Sequence, residues 1–259
     1  PVIEQTPVKS MHDVERIAGA DVYTNRMERF LKGVAILKEE LHGEVPIACE
    51  YISPFTIATR LRGTNEIMTD MYEDPELVHA LQNAVVALDI EIGRALIESG
   101  VDYIFYGADM ECPLLISPGH YREFVHKPTS KVVEALCGLG ARVLPHMCGD
   151  IVNTGIVDML LEMDIHGIMP GNLTQDTVLD VRELKEKVGD RTCIFGNINP
   201  NGRLLIGKPD EVAGETLMHL KSAGGMSGYI FSTSGTTSPA TPRENFTALN
   251  REVLNFKWS

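Results

Sequence analysis

Apolar and polar positions alternate in blocks along the whole chain. Six short apolar runs, at residues 46–51, 102–107, 142–148, 165–169, 192–196 and 228–232, are each bounded by turn-favouring residues and followed by a helical pattern. Their separations are too long for hairpins and suit parallel strands joined by helical crossovers. Between residues 75 and 99, Leu77, Leu81, Val85, Leu88, Ile92 and Leu96 fall at steps of three and four, the stripe of one long helix. Asp74 is placed to cap it, Pro75 to open it and Gly100 to stop it. Val178, Val181, Leu184 and Val188 mark a further helix ended by Gly189. Thr241-Pro242-Arg243-Glu244 reads as a capping box opening a last helix toward Phe256.

The repeated strand and helix predict an α/β protein with a parallel sheet. Two architectures satisfy the pattern: an open doubly wound sheet and a closed eight-fold barrel. No G-x-G-x-x-G follows an early strand, which weakens a dinucleotide-binding version of the first. Glu50, Asp109, His146, Cys148, Asn197 and Ser234 all sit where strands end. In a barrel those ends converge on one mouth, the usual place for an active site. No linker, charge block or compositional shift divides the chain, so residues 1–259 read as one domain.

Composition narrows the function classes. The 259 residues are 44% hydrophobic and 23% charged, an ordinary globular make-up. Twenty-three Lys and Arg against 36 Asp and Glu give a net charge of −13, and no basic run occurs, which argues against nucleic acid or an anionic membrane as partner. No apolar stretch approaches the roughly 18 residues of a membrane span. Five scattered cysteines in a chain of this size read as reduced thiols, and the cytoplasm is the expected compartment.

His146-Met147-Cys148-Gly149-Asp150 is the sharpest chemical feature. Residues i and i+2 of a strand share a face, so the imidazole and the thiol project together. Gly149 then turns the chain, and Asp150 can cap the helix that follows. Zinc favours such ligands. The same triplet also suits a buried Cys packing as a small hydrophobe beside a hydrogen-bonded imidazole.

Context extends the pattern. Glu44-Val45-Pro46, Ser53-Pro54-Phe55-Thr56-Ile57-Ala58, Ser117-Pro118-Gly119-His120-Tyr121-Arg122-Glu123-Phe124, the His146 pentapeptide, Gly196-Asn197-Ile198-Asn199-Pro200 and Thr241-Pro242-Arg243-Glu244-Asn245 follow one another across nearly the whole chain. In that order they resemble the uroporphyrinogen decarboxylase superfamily, and within it the zinc methyltransferases that work with corrinoid proteins. The resemblance implies a TIM-type (β/α)8 barrel of which this chain holds strands 3–8, the N-terminal units being missing. It implies zinc as cofactor, a corrinoid carried on a separate protein, and a small-molecule methyl donor or acceptor. His-x-Cys-Gly resembles the methyltransferase branch rather than the decarboxylases. A second cysteine completes the zinc site in that branch. Here Phe231-Ser232-Thr233-Ser234-Gly235 puts Ser234 at its place.

Other groups are therefore candidates for the metal shell. His146 and Cys148 are joined by Glu111 and Cys112, which follow the run at 102–107. Glu50 and Asp109 are candidate catalytic carboxylates, and of the neighbours Cys49 and Glu50 only one can face inward, Glu50 being chosen. Asn197, Asn199 and Ser234 are candidate cofactor-binding residues, with the asparagines equally suited to bracing their loop. His120, His126, His166 and His219 are expected at the surface or in packing. Zinc in such a site either lowers the pKa of an acceptor thiol or acts as a Lewis acid on the heteroatom of a methyl donor. A shell poorer in sulfur is more electrophilic and leans toward a donor other than a thioether. The competing readings are a metal-free decarboxylase of the same superfamily and a non-catalytic relative that binds without turnover.

Overall fold

The computed structural model describes residues 6–172, 180–224 and 228–258. Six strands form one parallel sheet: β1 (Ala48–Ile52), β2 (Tyr103–Gly107), β3 (Arg142–Cys148), β4 (Gly167–Gly171), β5 (Cys193–Phe195) and β6 (Tyr229–Ile230). Every expected run carries its strand. Their spatial order equals their chain order, with no reversal such as a doubly wound sheet contains. The sheet also curls. Phe105 on β2 meets Phe195 on β5 edge to face, with ring centroids 5.7 Å apart, although β3 and β4 lie between them in the sheet. Curled parallel strands in sequential order have the topology of a barrel wall. Among the described residues β1 and β6 each pair on one side only.

Helices occupy the crossovers: Pro75–Ser99 before β2, Lys127–Gly138 before β3, Ile156–Leu160 before β4, Val181–Val188 before β5, Pro209–Ala223 before β6 and Arg243–Asn255 after it. The long helix follows its sequence signals. Asp74 accepts a hydrogen bond from the Leu77 amide, and Gly100 ends the helix in the left-handed conformation. In Val181–Val188, Val181, Leu184 and Val188 are buried and Gly189 follows; Val178 lies outside the described residues. None of the helices among the described residues is long and apolar enough to cross a membrane.

Two cap assignments need correction. Arg243–Asn255 begins one residue later than the capping box requires, because Pro242 has an extended ψ of 135° and takes the cap position itself. Thr241 is held instead in a turn, its amide donating to the Ser238 carbonyl, and its hydroxyl has no partner among the described residues. Asp150 caps no helix either. Its carboxylate accepts from the Asn153 amide at 2.9 Å and from the Asn153 side chain at 2.9 Å, closing a turn before Gly155, the N-cap of Ile156–Leu160.

Alternation along the strands separates the two faces. On the convex side Cys49, Tyr51, Ile104, Tyr106, Val143 and Met147 are buried in the main core. On the concave side Ala48, Glu50, Phe105, His146, Cys148 and Met169 retain solvent exposure. The side-chain period of two puts adjacent residues of the same strand to opposite uses.

Candidate functional site at the mouth of the sheet

Register decides which side chains meet. Gly107 of β2 pairs with His146 of β3, His146 with Met169 of β4, and Cys148 with Gly171. Partners in a parallel ladder point to the same side, so the C-terminal ends of β1 to β4 build one wall. A cleft of about 440 Å³ opens there, lined by Glu50, Phe105, Gly107, Asp109, His146, Met169, Gly235 and Thr236. It contains the two candidate carboxylates and the candidate imidazole, and Glu50 faces it while Cys49 is buried on the far side.

His146 and Cys148 come together as their spacing predicts, with Nε2 3.8 Å from Sγ. Nδ1 lies 3.0 Å from the Met169 carbonyl oxygen. A carbonyl only accepts, so Nδ1 carries the proton and Nε2 offers its lone pair beside the thiol. Zinc takes nitrogen at about 2.0–2.1 Å and sulfur at about 2.3 Å, so one ion can span this gap. The carbonyl is the usual outer support of a metal-bound histidine. The pair could thus offer two ligands to a metal ion. Among the described residues no group of three His, Cys, Asp or Glu that could hold a metal is formed. Without a cation the Cys148 thiol is held protonated: burial raises its pKa first, and the charges of Asp109 and Cys112 add to the effect.

The remaining candidates divide by orientation. Asp109 is exposed and stands 3.6 Å from the Arg60 guanidinium. Glu111 is 1% exposed and takes a hydrogen bond from the Ser53 hydroxyl. Burial pushes its pKa up to about 8, against the opposing pull of Ser53 and of the Thr56 backbone, so it is largely neutral at pH 7. Cys112 is buried beside it at 5% exposure. Asn199 Oδ1 accepts from the Asn201 amide at 3.0 Å, bracing its own loop, while Asn197 is almost fully buried. Ser234 is also buried, and its hydroxyl accepts from the Asn172 side chain at 2.8 Å. Of the other histidines, His126 and His219 are buried in packing, and His166 is exposed near the opposite end of the sheet.

Sequence reasoning missed Gly171 and Asn172, which follow each other at the end of β4. Gly171 lies directly under the thiol, and Asn172 ties the end of β4 to the loop after β6. A Gly-Asn pair closing an apolar run was the available signal, but it reads first as a turn.

Comparison with known proteins places these features in a family. The family described as Uroporphyrinogen decarboxylase (URO-D) matches residues 1–256. Methylcobamide:CoM methyltransferase MtbA of Methanosarcina acetivorans is 26% identical over 213 residues, covering 82% of this chain and 60% of that protein. Uroporphyrinogen decarboxylase of Coxiella burnetii is 26% identical over 276 residues, covering 99% of this chain and 70% of its own length. The solved structure of a methyltransferase from Methanosarcina mazei superposes with a TM-score of 0.73 at 23% identity, covering 86% of this chain and 62% of that one. That likeness shows a shared fold. The chain thus spans about three-fifths of the length of the MtbA relative.

Proposed function

The chain belongs to the uroporphyrinogen decarboxylase family, and from that premise we propose that it acts as a zinc-dependent methyltransferase exchanging a methyl group between a corrinoid protein and a small molecule. The observation that carries this reading is the His146–Cys148 pair, with the imidazole lone pair turned to the thiol at the lip of the cleft. His146 and Cys148 would hold the zinc. When bound, that ion supplies Lewis acidity to the heteroatom of a methyl donor or lowers the pKa of an acceptor thiol. The Met169 carbonyl fixes the tautomer of His146, and Glu50 and Asp109 set a negative field on the small molecule in the cleft. A cleft of about 440 Å³ suits a small ligand, so the corrinoid would be presented over the mouth by its own protein. Asn197, Asn199 and Ser234 are buried, so in this reading they brace the loops after β5 and β6 rather than contact the corrinoid.

In this reading the six strands are the third to eighth of an eight-stranded barrel. The single-sided pairing of β1 and β6 and the exposed inward residues of β1 support that assignment. The cytoplasm suits the five free cysteines. The decisive experiment measures zinc per chain on purified protein, with His146→Ala and Cys148→Ser beside it, and then demethylation of methylcobalamin. About one zinc per chain, lost in both variants and accompanied by methyl transfer, is the expected outcome. A folded protein that takes up no zinc when zinc is supplied overturns it.

A further inference from the structure

We infer that Gly171 is a positioning residue for the His146–Cys148 pair, its lack of a side chain holding imidazole and thiol in register. The inference rests on the reading of that pair as metal ligands. Cys148 and Gly171 are direct partners in the β3–β4 ladder, so any side chain at 171 would rise on the face that carries the thiol. A Cβ at that position would lie 2.4 Å from Cys148 Sγ and 2.9 Å from His146 Cε1. It would also stand 3.3 Å from the Cys148 Cα. Neither distance to the two side chains is tolerable, and each side chain can give way only by rotating. A rotated thiol leaves the imidazole, and a rotated imidazole leaves the Met169 carbonyl that fixes its tautomer.

The backbone does not demand glycine here. Gly171 is absent from the residues with positive φ, so alanine fits the main chain and the requirement is for space alone. The same strand supplies a control. A Cβ at Gly167, four residues earlier, would meet Leu144 Cδ2 at 2.8 Å and Phe195 Cε2 at 3.1 Å, a crowded though less tight spot with no thiol or imidazole among its nearest atoms.

The test combines two readouts on wild type, Gly171→Ala and Gly167→Ala. One is Co2+ titration followed by the near-ultraviolet thiolate-to-cobalt charge-transfer band. The other is iodoacetamide alkylation of Cys148 in metal-free protein, mapped by peptide mass spectrometry so that the other four thiols are read separately. Gly171→Ala is expected to weaken Co2+ binding by about tenfold or more, as loss of outer-shell support does, and to change Cys148 alkylation several-fold. Gly167→Ala is expected to lower the melting temperature while leaving both readouts at wild-type values. Gly171→Ala matching wild type in both readouts overturns the positioning role. Wild type that gives no cobalt band while Gly171→Ala still shifts alkylation removes the metal reading and leaves the positioning role standing. Should Gly171→Ala not fold, Cys148→Ala in the same chain removes the crowding sulfur and is expected to restore folding; failure in both backgrounds overturns the proposal.

Discussion

The two faces of the sheet are written in the same strands, and they differ in what a side chain there is for. On β3 the convex face carries Val143, Pro145 and Met147, all buried, and the concave face carries Leu144, His146 and Cys148. Met147 sits between the two candidate ligands and is 1% exposed, sealed into the core beneath the helices. Its neighbours His146 and Cys148 are only half-buried, and His146 lines the cleft. Stability and chemistry are therefore interleaved at single-residue spacing, and a one-residue slip of β3 would exchange them. The comparison teaches that the core sets the placement of the site, because each reactive side chain is flanked by buried residues of the same strand or turn.

The largest expected effect follows from crossing that divide. Met147→Ala should cost about 2–5 kcal/mol through the cavity it leaves, read as a lower midpoint in urea denaturation. Zinc per folded chain should stay at the wild-type value. Cys148→Ser, one residue along, should change stability by no more than about 1 kcal/mol and remove the zinc. If instead Cys148→Ser unfolds the protein as Met147→Ala does, the concave face is part of the core and the division fails.

The division explains what could be read beforehand. A period of two on the run at 142–148 is local, so the His146–Cys148 pair was legible from spacing, as were Asp74 and Gly100 at the ends of the long helix. What depends on contacts between distant segments was not. Ser53 reaches Glu111 across 58 positions, and it is the burial of that carboxyl, which the Ser53 bond only partly opposes, that keeps it largely neutral. Gly171 meets Cys148 only through the register of β3 and β4, which no spacing encodes. The caps at Thr241 and Asp150 failed for a related reason. Each residue had a competing local turn available, Thr241 through its amide to the Ser238 carbonyl and Asp150 through its carboxylate to Asn153, and the turns won.

On the convex side one polar group should behave as a liability. Asp89, in the helix Pro75–Ser99, is 1% exposed, and its Oδ2 has no hydrogen-bond partner among the described residues. Burial raises its pKa to about 8, the Tyr51 phenol opposing only in part. The folded pKa then lies above the unfolded value near 3.9. Protonated in both states at low pH, the group has no net effect there. As pH rises from about 4 to 8 the unfolded chain ionises first, and the fold loses stability across that window. Asp89→Asn should flatten this loss, gaining on the order of 2 kcal/mol at pH 8 and almost nothing at pH 4. Thermal melts at the two pH values measure it, and an equal change at both would mean that Asp89 does not titrate in that window.

The smallest effect tests the concave face against itself. Its β1–β3 side carries ionisable groups, whereas the side formed by the ends of β4 to β6 carries amides and hydroxyls, with the Asn172–Ser234 bond at their junction. If that second wall only shapes the mouth, Ser234→Ala should cost about 1 kcal/mol for the lost hydrogen bond, a fall of a few degrees in melting temperature, with zinc content and Cys148 alkylation unchanged. The Asn172 amide keeps a second contact at 3.5 Å to the Asn197 carbonyl, which limits the loss. Zinc released by Ser234→Ala would place the hydroxyl in the metal's own shell. The ligand set would then extend from β3 to the loop after β6, and the neutral wall would be part of the chemistry rather than its boundary.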